Sequence, residues 1–267
     1  MVASALKFMF ALIVTGQGFT YNEGGDDWTG TCATGKKQSP IDLDDDIITE
    51  VTDADNIVKT KINLASFKGQ FNEYDDEIKS FVYNSNDGFG TVTINDIIFY
   101  MANIHFHVPS EHTINGDSYD AELHLFGMSG DGLKMLEFTV FFEKGSESDF
   151  VKNAIDSVDS SKTLNLTTIL PNGYLEDYYY YIGSLSGPIF GDCTEGTSWI
   201  VVKSPQEMSS SQLDFFNNRW KNDENFAGGR GNNRNVQPLN DRKVYYHTTS
   251  STYSLCVAFL LLTASLI

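Results

Sequence analysis

Four of the five histidines in this chain fall within twenty consecutive residues, as His105-Phe106-His107, then His112, then Glu122-Leu123-His124. Side chains alternate faces along a strand, so His105 and His107 project together while Ile104, Phe106 and Val108 project the other way. The polar stretch Pro109–Tyr119 carries Gly116 and can turn the chain back. Ala121–Met128 then pairs antiparallel, which brings His124 beside the first two. Three imidazoles from two strands leave a fourth tetrahedral position for water, the pattern of a catalytic rather than a structural zinc. A lone His-x-His is weak evidence, since strand histidines commonly serve packing alone. Here a third histidine on the partner strand and two interleaved carboxylates outweigh that reading. A closed structural site with His112 as fourth ligand is set aside, because such sites favour thiolates and none is near.

A metal-bound imidazole needs its other N–H held by a carboxylate or carbonyl. Glu122 shares the face of His124, and Asn103 is equally placed beside His105. Glu111 directly follows the His-x-His strand, where it can orient a hydroxyl near the metal. Exposure to water is the usual fate of glutamate, but strict alternation with His124 argues against it for Glu122.

The elements that must position these groups are mainly strands. Thr91–Ile94, Ile97–Val108, Ala121–Met128, Met135–Phe142 and Ser198–Val202 are rich in β-branched and aromatic residues, separated by turn residues. Ser148–Ser160 carries one helical stripe through Phe150, Val151, Ala154, Ile155 and Val158. A second helix is expected within Ser204–Trp220, started either by the capping-box pattern Ser204-Pro205-Gln206-Glu207 or by Ser209–Ser211. No repeat or linker divides the body. The expected fold is a single, mainly β, mostly antiparallel domain over residues 19–247, with a few peripheral helices.

Both ends differ from that body. Met1–Val14 has one Lys7 ahead of the apolar run Phe8–Val14, and small residues follow up to Gly18. Residues 1–18 therefore read as a secretory signal peptide, too short and wrongly flanked for a membrane span. Leu255–Ile267 is apolar and uncharged, also shorter than the roughly 20 residues a spanning helix needs. With the small residues Thr248–Thr252 before it, residues 248–267 read as a GPI-anchor signal, although the usual polar spacer is nearly missing. Removing that tail takes Cys256 with it. An oxidising compartment would then join Cys32 to Cys193. Asn165-Leu166-Thr167 is an N-glycosylation acceptor. The formal net charge of −18 repels nucleic acid and anionic lipid surfaces.

The histidine block, with Ser110-Glu111-His112-Thr113 and Ala121-Glu122-Leu123-His124-Leu125, resembles the zinc site of the α-class carbonic anhydrases, extracellular type. Four further pieces agree in order: Gln38-Ser39-Pro40-Ile41 after Cys32; Gly183-Ser184-Leu185-Ser186-Gly187-Pro188; Cys193-Thr194-Glu195-Gly196 leading to Trp199; and Asn232–Leu239 with Arg234. The similarity runs from Phe19 to Arg242. It implies a large twisted central sheet, zinc as cofactor, and reversible hydration of carbon dioxide to bicarbonate and a proton. It also implies that Ser186 accepts a hydrogen bond from the attacking oxygen and donates its own to Glu111. Leu185 and Trp199 would form part of the apolar wall receiving carbon dioxide. The partner it implies is that small substrate, and the C-terminal tail read above would add a lipid anchor at the outer membrane surface.

The chain departs from the family pattern in several places. Ser186 stands where threonine is usual, Gly187 replaces a second hydroxyl, Phe126 is bulkier than the usual valine, and an insertion separates Pro188 from Cys193. The region aligning with the family's proton-shuttle histidine, Asn84–Val92, has no histidine. His247, the remaining one, lies beyond the similar region. A non-catalytic binding module on the same fold is the weaker alternative, because all three ligands, Glu111 and a hydroxyl at Ser186 are present. A zinc protease is argued against by the absence of His-Glu-x-x-His.

Overall fold

A computed structural model describes residues 19–52, 55, 57–72, 81–85, 88–170, 175, 177–188, 192–220 and 227–248. The signal-peptide segment, all but Thr248 of the anchor segment, and residues 189–191 of the expected insertion lie outside the described residues.

The strands in chain order are β1 (Asp42–Leu43), β2 (Ile48–Val51), β3 (Thr60–Leu64), β4 (Ser66–Gly69), β5 (Val82–Asn84), β6 (Gly90–Ile94), β7 (Ile97–His107) and β8 (Thr113–Ile114). They continue as β9 (Asp117–Ser118), β10 (Ala121–Ser129), β11 (Met135–Lys144), β12 (Lys162–Asn165), β13 (Tyr178–Ser184), β14 (Glu195–Met208) and β15 (Val244–His247). Ten of them form one sheet in the order β2-β15-β13-β14-β11-β10-β7-β6-β3, with β5 also paired to β7. Most pairs are antiparallel, but β11 runs parallel to β14 and β15 parallel to β2. The sheet is therefore mixed, and its strand content bears out the expected mainly β class.

Long apolar strands such as Met135–Lys144 signal a sheet covered on both faces, and two separate cores provide that cover. One contains Ile104, Phe106, Leu123, Leu125, Leu136, Phe138, Val140, Ile200 and Val202. The other contains Ile41, Leu43, Phe141, Tyr179, Tyr181, Trp199, Val201 and Val244. The alternation expected around His105–His107 holds, with Ile104 and Phe106 in the first core.

Helix α1 (Thr31–Thr34) carries Cys32. Helix α2 (Asp149–Asp156) begins at Ser148, whose side chain accepts from Val151 N; the expected stripe folds as a helix that ends before Ser160. Helix α3 spans Ser210–Trp220, and Ser209 Oγ accepts from Gln212 N at 3.3 Å. The capping-box alternative at Ser204 fails, because β14 runs on through Met208. Its partners there are Phe142↔Gln206, Glu143↔Glu207 and Lys144↔Met208, reached across a bulge. Ladder hydrogen bonds outweigh local capping chemistry, and the bulge accommodates Pro205. His247 also departs from expectation: it is a buried residue of the sheet, stacked on Tyr178 at a ring separation of 4.7 Å.

Candidate metal centre

Register between β7 and β10 assembles the triad. His105 lies opposite His124, His107 opposite Glu122 and Asn103 opposite Phe126. Opposed residues share a face, so the three imidazoles meet on the side of the second core, with ring centroids 4.5–5.1 Å apart. One nitrogen of each lies within 4.8 Å of the others. Every ring is held through its remaining nitrogen. His105 Nδ1 meets Asn103 Oδ1 at 2.7 Å, His107 Nδ1 meets the Asn232 carbonyl at 2.6 Å, and His124 Nε2 meets Glu122 Oε1 at 2.8 Å.

Those bonds turn the opposite nitrogens inward. His107 Nε2 and His124 Nδ1 are buried and have no hydrogen-bond partner among the described residues. Two orphaned lone-pair nitrogens in one buried cluster are costly unless a ligand takes them, and three neutral nitrogens on fixed rings suit zinc. The triad thus fits the metal that its residue types suggest. Burial also keeps the rings ready, pushing His105 well below the usual imidazole range, helped by His124 and His107. His107 is lowered as well, chiefly by burial. For His124 burial is outweighed by the Glu122 carboxylate, which raises it.

Glu122 is fully buried, and its carboxylate organises more than one ligand. Oε1 meets both His124 Nε2 and His112 Nδ1, the latter at 2.7 Å. Oε2 accepts the backbone N–H groups of Glu111 and His112, each at 2.8 Å. Although burial opposes ionisation, His112 and His124 hold this carboxyl well below the usual carboxylate range. His112 is committed on its other side too, with Nε2 2.7 Å from the Tyr181 hydroxyl, which donates to Ser39 Oγ. It is a link between Glu122 and Tyr181, and it leaves the metal face to the other three.

Glu111 is 1 % exposed and its Oε1 accepts from Arg234 N at 2.9 Å. Oε2 has no partner, so the Ser186–Glu111 hydrogen bond implied by the resemblance is not formed here. Serine lacks the methyl group that restricts the threonine rotamer. Ser186 itself is buried just past β13, beside Leu185, whose N–H donates to the Thr194 carbonyl. Trp199 Nε1 donates to the Ser184 carbonyl at 2.8 Å, and its ring lies 5.2 Å from that of His124. Leu185, Trp199 and Phe126 are all buried, Phe126 on β10 with His124 and Trp199 on β14, across β11 from it.

The distant segments are tied in by Arg234. Its guanidinium donates to Gln38 Oε1, the Ser39 carbonyl and the Cys32 carbonyl. Cys32 and Cys193 form the expected disulfide, with Cα atoms 5.0 Å apart across a sequence separation of 161. Sequence reasoning missed Asn232 as a support, since a backbone carbonyl carries no residue-type signal. Gly231 is the available clue: a Cβ there would strike the Val108 carbonyl, so only glycine lets this loop approach β7.

Comparison with known proteins agrees with this geometry. A family profile described as eukaryotic-type carbonic anhydrase matches residues 23–248. A carbonic anhydrase of Nesocodon mauritianus is 31% identical over 230 residues, covering 82% of this chain and 77% of that protein. One from Neisseria gonorrhoeae is 27% identical over 240 residues, covering 85% and 86%. Among solved structures, the α-carbonic anhydrase of Thermovibrio ammonificans in complex with sulfanilamide superposes with a TM-score of 0.68 at 29% identity, covering 86% of this chain and 99% of that one. The triad, its supports and the match over the whole body agree: this chain belongs to the eukaryotic-type, or α, carbonic anhydrase family.

Proposed function

We propose that His105 Nε2, His107 Nε2 and His124 Nδ1 bind the zinc of a carbonic anhydrase that acts outside the cell or at its surface. The observation that carries this is three converging rings each held through one nitrogen, with the inward nitrogens of His107 and His124 buried and without a hydrogen-bond partner among the described residues. The reaction is reversible hydration of carbon dioxide, and its cofactor is zinc. Bound there, zinc supplies Lewis acidity that lowers the pKa of coordinated water, an effect for which carbonic anhydrase is the usual illustration.

The chain's own residues supply the rest. Asn103, the Asn232 carbonyl and Glu122 fix ring orientation and tautomer. Leu185, Trp199 and Phe126 present an apolar wall that admits carbon dioxide and excludes water. Ser186 orients the attacking oxygen through its hydroxyl, while Glu111, whose Oε1 accepts from Arg234 N, keeps Oε2 without a partner among the described residues. Each hydration releases one proton, which leaves through water to buffer because no histidine occupies Asn84–Val92.

Stopped-flow hydration should show activity that a chelator abolishes and stoichiometric zinc restores. Activity indifferent to complete zinc removal would overturn the assignment. Residues 1–18 serve as secretion signal, Asn165 carries a glycan, and residues 248–267 are exchanged for a lipid. Release from membranes by a phosphatidylinositol-specific phospholipase supports that anchor, and an intact C-terminal peptide in the mature protein excludes it.

A further inference from the structure

Glu137 stands in the same face as the metal ligands, and nothing described so far uses it. On β11 it lies opposite Phe126 of β10 and opposite Trp199 of β14. Its neighbour two residues on, Thr139, lies opposite His124. Because opposed residues share a face and alternate residues return to it, Glu137 projects from the triad side, between two aromatic wall residues. Leu136 and Phe138 project into the core on the other side.

This side chain is 4 % exposed, and Oε2 is buried without a hydrogen-bond partner. Among the described residues no ion pair or hydrogen bond to its carboxyl is formed. An unpartnered carboxyl is among the most expensive groups to bury, and each such group in a folded protein calls for an explanation. An apolar side chain between Phe126 and Trp199 would avoid that cost and complete the wall. The missing partner is therefore sought in what the pocket receives, and of the two reacting species bicarbonate is the strong hydrogen-bond acceptor.

We propose that Glu137 is a specificity-determining residue of the pocket, donating its carboxyl O–H to an oxygen of bound bicarbonate. Burial supports this, because a carboxyl enclosed between Phe126 and Trp199 with no partner is far less costly to hold as the neutral acid, a hydrogen-bond donor, than as the anion. The inference rests on the carbonic anhydrase reading and adds an acid group to a wall otherwise built from Phe126, Leu185 and Trp199.

The test compares zinc-loaded wild type, Glu137→Gln and Glu137→Val. Glutamine keeps a donor at similar reach; valine fills the wall without one. Two quantities are read: KM for bicarbonate in the dehydration direction, and the infrared difference spectrum on adding bicarbonate. We expect Glu137→Val to raise KM about tenfold, the scale of one hydrogen bond to a charged group, with Glu137→Gln within about threefold of wild type. A protonated-carboxyl band should shift with bicarbonate in wild type and be missing from both variants. An unchanged or lower KM in Glu137→Val, or no such band in wild type, overturns the proposal. Failure of the underlying reading looks different: wild type would hydrate no carbon dioxide, whereas the infrared band reports on Glu137 in either case. Valine removes an unpartnered buried carboxyl, so that variant should melt no lower than wild type.

Discussion

Replacing Glu122 by glutamine changes one atom and sets the supports of two histidines against each other. The carboxylate accepts four hydrogen bonds: Oε2 from two backbone N–H groups, Oε1 from His112 and His124. Glutamine has only one accepting oxygen. The backbone donors cannot change their role, so the oxygen must stay with them and the NH2 must face the imidazoles. His124 Nε2 then has to become an acceptor, which moves its proton to Nδ1, the nitrogen turned toward the metal. Zinc must displace that proton and restore the opposing N–H contact. Losing such a support typically costs about 10–100-fold in metal affinity, or about 1.4–2.7 kcal/mol. Zinc affinity measured by competition with a chromophoric chelator should show that loss, and Glu122→Gln should retain the wild-type β-sheet spectrum. A zinc Kd within about twofold of wild type would refute the claim that Glu122 sets the His124 tautomer.

Further outcomes follow from other parts of the molecule. Reducing the Cys32–Cys193 disulfide, or replacing both residues with serine, should lower unfolding stability by about 2–5 kcal/mol, read by urea titration. Glu137 gives a pH signature in the metal-free protein. Its folded value of about 8 lies above the ordinary 4.5, so the folded state keeps a proton that the unfolded state loses between those values. Stability should fall as pH rises through that window by a few kcal/mol, and Glu137→Gln should flatten the slope; equal slopes would contradict it. Hydration should be limited by proton export and accelerate with concentrated imidazole buffer, since imidazole titrates near working pH; fast turnover indifferent to buffer would contradict that. Grafting a histidine at Phe89 or Gly88 is poorly placed to help. Phe89 is buried against Phe67, and Gly88 holds a φ of 74°.

The site was legible where strand alternation and residue type coincide. His105, His107 and His124 follow from period-two spacing plus one turn, and the same alternation located Asn103 and Glu122. His112 resembles a ligand in sequence because nothing local reveals Tyr181, whose hydroxyl occupies its far nitrogen. Asn232 acts through its carbonyl from 125 residues away, beyond any spacing argument. Glu137 passes for an ordinary exposed glutamate until the sheet is seen to be covered on both faces. The sequence leaves the start of α3 open between two caps, of which Ser209 is the one used, because Ser204-Pro205-Gln206-Glu207 offers good capping chemistry and the bulge that carries β14 past it is a tertiary feature.

The central claim is that three particular nitrogens hold one zinc, and anomalous diffraction at the zinc edge from crystals of the secreted protein tests it most directly. The account predicts one peak per chain, bonded to His105 Nε2, His107 Nε2 and His124 Nδ1 at about 2.0–2.1 Å. A peak instead among His112, Glu122 and His124, the other buried group among the described residues able to approach a metal, or no peak in protein that hydrates carbon dioxide, would contradict it.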